Sequence, residues 1–241
     1  MLDAKNVDPR PIPELLAAAT DWSRQEGEGD WDAVVALQRI GTKEVLEKAL
    51  ELIGSGDPRC RARGADILGQ FGSPGRSYPE ECLNAAIRLI TLDSDSFVLQ
   101  AAAVALGHLG DPRGTNSLAS LVDNPSPEVR HAVAFALGGC PDPTAVAALI
   151  KLTTDEDSNV RDWATFGIGQ LGEVDTAEVR EALKRRLDDP DEGTRYEALC
   201  GLAKRRDPSA LPILLKALDA APDDASLYPP AMAFPWNPRR R

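Results

Sequence analysis

The side chains with the most chemistry to offer are few and scattered. Two histidines, His108 and His131, sit one repeat apart, and four cysteines (Cys60, Cys82, Cys140 and Cys200) are spread along the chain without a CxxC pair. No HExxH or Cys–His cluster has metal-ligand spacing, so no metal site is expected. The thiols read as buried or half-buried groups in a reducing compartment. The paired carboxylates Asp188-Asp189 and Asp223-Asp224 fall in turns, where caps or solvated charge outweigh an acid–base pair. GIGQLG (167–172) ends a helix and reads as a close-packing or helix-terminating device rather than a phosphate cradle. No GxSxG elbow is present. The expectation is a non-enzymatic protein without a cofactor. One stretch stands apart, Arg161-Asp162-Trp163-Ala164-Thr165-Phe166, which sets a cation, a carboxylate, an indole and a phenyl on two turns.

The elements that must position these groups repeat. DPRCRARGADILGQFG (57–72), DSFVLQAAAVALGHLG (95–110), SPEVRHAVAFALGGCP (126–141), DSNVRDWATFGIGQLG (157–172) and DEGTRYEALCGLAKRR (191–206) are copies of one unit, and AVVALQRIG (33–41) fits an earlier one. Each precedes a second apolar segment, such as VLEKALELI (45–53) or AVAALIKLT (145–153). The stripe at 160, 164, 167, 168 and 171 has helical period, and Asp57, Asp95, Ser126 and Asp157 stand where an N-cap belongs. A helix pair of this length cannot bury its apolar face alone, so neighbours must stack. The fold class expected is an all-α, right-handed solenoid of about six helix pairs over 30–220. Residues 1–29 would form an N-terminal capping helix and 221–241 a Pro-rich tail, whose AMAFPWNP segment (Phe234, Trp236) could lie over the last repeat.

The pattern D-x-x-V-R-x-x-A-x-x-A-L-G-x-L-G-D-P resembles the HEAT-like repeats first described in phycobilisome lyases, over about residues 30–220. That resemblance implies a polar ladder between repeats made by Asp57, Arg61, Asp95, Arg130, Asp157, Arg161, Asp191 and Arg195. Leu99 stands where the other copies have arginine, and Ser126 where they have aspartate, so the ladder is expected to be weakest around the second and third copies. The resemblance also places the Val-Arg helix of each pair on the concave surface. At 100° per residue, positions 162, 166 and 169 then point outward, flanked by 163 and 170. Across the copies, His131, Phe135, Asp162, Trp163, Phe166, Gln170 and Tyr196 fall on that face. Exposed aromatics in a concavity suit a partner-binding hot spot; rings packed against the neighbouring copy would complete the core instead.

RDWATF, within a stretch that runs through 126–218, is also similar to HEAT-like proteins encoded beside Rhs-type polymorphic toxins. This implies an immunity role, with a general adaptor or assembly scaffold as the alternative. HEAT-like bilin lyases and alkylpurine DNA glycosylases are the enzymatic alternatives. With 27 basic and 38 acidic residues the formal charge is −11, which argues against nucleic acid as the partner and suits a basic protein such as a toxin domain. No stretch approaches the roughly 18 apolar residues of a membrane helix. The N-terminus lacks an apolar signal region, so a cytoplasmic location is expected.

Overall fold

The computed structural model describes residues 8–22 and 28–220, which form α helices and no strand. The helices pair in chain order: α1 (Ile12–Ala19) with α2 (Glu28–Ile40), α3 (Lys43–Ile53) with α4 (Pro58–Gly69), and α5 (Pro79–Leu92) with α6 (Ser96–Leu109). Next come α7 (Thr115–Ala119) with α8 (Pro127–Leu137), α9 (Pro143–Leu152) with α10 (Ser158–Phe166), and α11 (Ala177–Arg186) with α12 (Glu192–Lys204). A single helix, α13 (Ala210–Ala220), follows. The result is an α-solenoid. Helix α1 covers only part of the 1–29 segment expected to cap the stack, and α2 begins at Glu28, just before the boundary expected at residue 30.

The helix starts follow from local chemistry. Asp57, Asp95, Asp142, Asp157 and Asp191 each accept a hydrogen bond from an amide in the first turn of the helix they precede, and Ser126 and Thr176 do the same with hydroxyls. Each such cap contributes about 1 kcal/mol. Proline opens α4, α5, α8 and α9, where its missing amide costs nothing.

The second helices α4, α6, α8, α10 and α12 pack on one another more tightly than the first helices do, which puts them on the inner side of the stack's curvature. Small residues make this approach possible. A Cβ on Gly107 would lie 2.8 Å from the Ala136 Cα, and one on Gly201 would lie 2.6 Å from the Gly169 Cα. Any larger residue there would force the helices apart.

Two apolar clusters fill the interior. One runs from Ala62 to Ala210 and includes Leu83, Leu137, Leu149, Leu183 and Leu202; the other, from Leu15 to Ala85, is centred on Leu37, Ile67 and Phe71. A fully buried leucine of this kind is worth roughly 2 kcal/mol. At the far end α13 exposes Leu211, Ile213, Leu214 and Leu215, because no second helix covers it among the described residues. The tail beyond 220, with Phe234 and Trp236, lies outside the described residues. No described helix is long and apolar enough to cross a membrane.

Candidate partner-binding face

The face begins with how the second helices are fastened together. Arg130 donates from Nε and Nη2 to the Asp155 carboxylate at 2.7 Å, and Arg161 does the same to Asp189 at 3.0 Å. Arg61 holds Asp93 at 2.6 and 3.1 Å. Each arginine also donates from Nη1 to two carbonyls of the turn before its own helix, as Arg161 does to Asp155 and Glu156. The bidentate fork thus fastens its own turn to the next repeat. Burial works against the Asp155 and Asp189 carboxylates, but the guanidiniums beside them hold both below the usual carboxylate range.

This corrects the ladder expected from the sequence. The arginines stand in it, but Asp57, Asp95, Asp157 and Asp191 cap their own helices, and the acids opposite the arginines are Asp93, Asp155 and Asp189. Arg195 donates to the carbonyls of Asp189 and Pro190 in its own turn, and among the described residues no acid stands opposite it. The acids that sequence reasoning missed sit two residues before the caps, in DSD (93–95), DED (155–157) and DPD (189–191). The first carboxylate of each accepts from the amide of the second, which closes the turn and aims it at the incoming arginine. That D-x-D doublet was the available signal. Leu99 has Asn124 opposite it in register, so the arginine and the acid are absent together.

Above this rung lies a row of rings. His108 meets Phe135 edge to face at 5.5 Å, Phe135 meets Trp163 at 5.7 Å, and Trp163 meets both His131 and Phe166 at 5.6 Å. All five are half-buried. The two alternatives posed by the sequence therefore coincide: each ring packs on its neighbour's edge and still presents part of its surface. Such edge-to-face contacts are worth about 0.5–1.5 kcal/mol each beyond burial. His108, absent from the sequence-derived set, extends the row into α6. Burial lowers the pKa of both histidines.

The carboxylates cluster at one end of the row. Glu197 accepts a hydrogen bond from the Gln170 amide. Asp162 lies against the first turn of α12, and its Oδ1 is buried without a hydrogen-bond partner. Burial, with Asp191 and Asp189 nearby, raises the Asp162 pKa to about 6; burial, with Asp162 adding repulsion, raises Glu197 to about 7. Tyr196, half-buried, reaches the Cys200 thiol, whose pKa burial raises. No group of His, Cys, Asp and Glu among the described residues could hold a metal.

Gln170 is carried on a π-helical turn, Gly167–Leu171, where the sequence suggested an ordinary helix end. Such a turn leaves carbonyls without helical partners, and Arg205 collects them. It donates to the carbonyls of Ile168, Gly169, Gly172 and Val174, and to Gly201 in its own helix. Lys204 adds bonds to Gln170 and Gly172. Lys204 and Arg205 thus serve helix C-termini, including that of the neighbouring repeat.

Comparison with known proteins fits this architecture. The family model of HEAT repeats matches residues 115–177 and 166–226. Residues 115–226 of this α-solenoid thus match HEAT repeats. Its fold is similar to that of the Escherichia coli protein YibA, with a TM-score of 0.71 and 24% identity over 87% of this chain and 76% of the other. An engineered protein matches with a TM-score of 0.54 and 20% identity, over 80% of this chain and 95% of its own. A chain of the Kap95p–RanGDP complex matches with a TM-score of 0.59 and 16% identity, over 87% of this chain and 32% of its own length. At these identities the likeness concerns the fold. No curated protein matches the sequence.

Proposed function

We propose that the solenoid is a non-enzymatic interaction module and that the inner face of its third to fifth copies grips a basic segment of another protein. The observation that carries this reading is the unbroken row of half-exposed rings from His108 to Phe166, ending at Asp162 and Glu197. Rigid aromatic surface lowers the entropy lost on binding, and the adjoining carboxylates favour a cation. The overall charge of −11 adds long-range attraction for such a partner. HEAT and armadillo-like solenoids are typical protein-interaction scaffolds, which agrees with this use. The finer form is an immunity protein that neutralises a basic toxin domain; it rests on the likeness of the RDWATF region to proteins encoded beside Rhs-type toxins.

The test is a purified complex. A tagged bait isolates the partner, and calorimetry with the purified partner then compares wild type with the Trp163→Ala/Phe166→Ala variant. The expected loss is about 2 kcal/mol or more of binding with the fold retained. Unchanged affinity with a lowered melting temperature would assign the rings to the core alone. For the immunity form, co-expression should abolish the toxicity of the captured domain; a captured protein without toxicity favours the adaptor reading.

A further inference from the structure

The first repeats build their inner face from different parts. Arg63, on α4, stands at the register position that Trp163 fills on α10. Its guanidinium carbon lies 5.2 Å from the Trp22 ring centroid and 5.5 Å from that of Trp31. Arg59 also lies over Trp22, at 5.4 Å, but its fork is already occupied by Asp57. Arg63 has no such partner. Its side chain is 11% exposed, and Nε and Nη1 are buried without a hydrogen bond. Among the described residues, the acid paired with Arg63 is Asp66, which approaches Nη1 only to 3.6 Å, beyond hydrogen-bonding distance.

Among the described residues, the arginines that are buried as a whole, Arg130, Arg161 and Arg205, are fully used, while Arg186 leaves one buried nitrogen, Nε, without a partner but holds Asp189 through Nη1. Arg130 and Arg161 each hold a carboxylate and two carbonyls, and Arg205 holds five carbonyls. Leaving a desolvated cation with unmet donors is costly. The indoles supply attraction to the charge but no acceptor. The group whose shape answers a guanidinium fork is a carboxylate, bound by two parallel N–H···O contacts.

We infer that Arg63, bordered by Trp22 and Trp31, is the receptor of a carboxylate-binding site on the inner face of the first repeats. Asp66 is then an internal competitor: its carboxylate stands close enough to repel an incoming one and too far to bond Arg63. The site is independent of the partner-binding reading, since it lies at the other end of the face and recognises the opposite charge.

The experiment follows the Arg63 Nε–H and the Trp22 and Trp31 indole N–H signals of the full chain by NMR. The probes are N-acetyl-glutamate methylamide (a side-chain carboxylate), N-acetyl-glycine (a terminal carboxylate) and N-acetyl-glutamine methylamide (a neutral control). Saturable shifts with at least one carboxylate and none with the amide are expected, and the stronger of the two shows which source the site prefers. Asp66→Asn should tighten binding several-fold, and Arg63→Lys, which keeps the charge but loses the fork, should weaken it roughly tenfold. No saturable shift up to about 50 mM of either carboxylate, in wild type and in Asp66→Asn, would overturn the proposal. So would shifts that survive Arg63→Lys unchanged. If Arg63→Lys does not fold, the wild-type and Asp66→Asn titrations still decide. Because the probes are small molecules, failure to find a protein partner leaves this result untouched.

Discussion

The two ends of the inner face use one helical frame and opposite chemistry. Around α8, α10 and α12 the buried arginines are saturated: side chains of Arg130 and Asp155 are 8% and 7% exposed, those of Arg161 and Asp189 11% and 1%. Around α4 the corresponding Arg61–Asp93 rung is looser, at 20% and 11%, and Arg63 lies among indoles with its donors unmet. The rings point the same way: a continuous row toward the carboxylates at one end, two indoles around a cation at the other. The backbone frame is thus fixed by the small residues at helix crossings, while polar character is chosen repeat by repeat, in matched pairs.

This contrast can be broken by truncating one arginine from each end, Arg205 and Arg63, in turn. Arg205→Met strands five carbonyls and should cost about 3–5 kcal/mol in urea unfolding. Arg63→Met has no hydrogen bond to lose and should cost no more than about 1 kcal/mol; equal costs would mean that the two ends are sealed alike. Next in size is the rung itself. Arg161→Ala should cost about 2–4 kcal/mol, because Asp189 is left buried and unpaired. The native pKa of Asp189 and Asp155 lies below the unfolded value, so their contribution is fully present above about pH 4 and is lost as the pH falls through the depressed values. A stability profile that stays flat from pH 5 to pH 2 would contradict this.

A smaller effect of opposite sign belongs to Asp162 and Glu197. Their native pKa values, about 6 and 7, lie above the unfolded ones, so the stability they confer is present in acid and is lost as the pH rises through those values. Asp162→Asn/Glu197→Gln should therefore be more stable than wild type at pH 8, by about 2 kcal/mol after allowing for partial exposure, with the gap closing toward pH 4. Smallest is Arg113→Ala. Its bridge to Glu80 on the outer row is more than half exposed on both sides, and its loss should change the unfolding free energy by less than about 0.5 kcal/mol.

Much of the frame is legible in the sequence because it depends on local rules. The caps at Asp57, Asp95, Ser126 and Asp157 follow from residue type, and the 100° register leaves His131, Asp162, Phe166 and Tyr196 half-buried on one face. The rest depends on what the next repeat brings. Asp155 and Asp157 both look like caps until an arginine 25 residues away selects the first. Arg205 is indistinguishable in type from Arg206 beside it; only the π-helical turn of the preceding repeat makes one a buried hub and leaves the other exposed. The isolation of Arg63 was equally invisible, since its neighbours Trp22 and Trp31 come from another helix pair and its connecting turn.

The rungs also restrict how such a chain can grow. Each copy carries a socket at the start of its turn and a plug six residues later: Ser55 and Arg61, Asp93 and Leu99, Asn124 and Arg130, Asp155 and Arg161, Asp189 and Arg195. A plug meets the socket of the following copy, so the copies are not interchangeable parts. Duplicating the fourth would set Arg161 against a new Asp155 and preserve the fit. Duplicating the second would set Leu99 against a second Asp93 and bury a lone carboxylate. Gene duplication within this array is therefore filtered by which seams can close, and the Leu99–Asn124 seam is one where a copy can be gained only together with a neighbour that matches it.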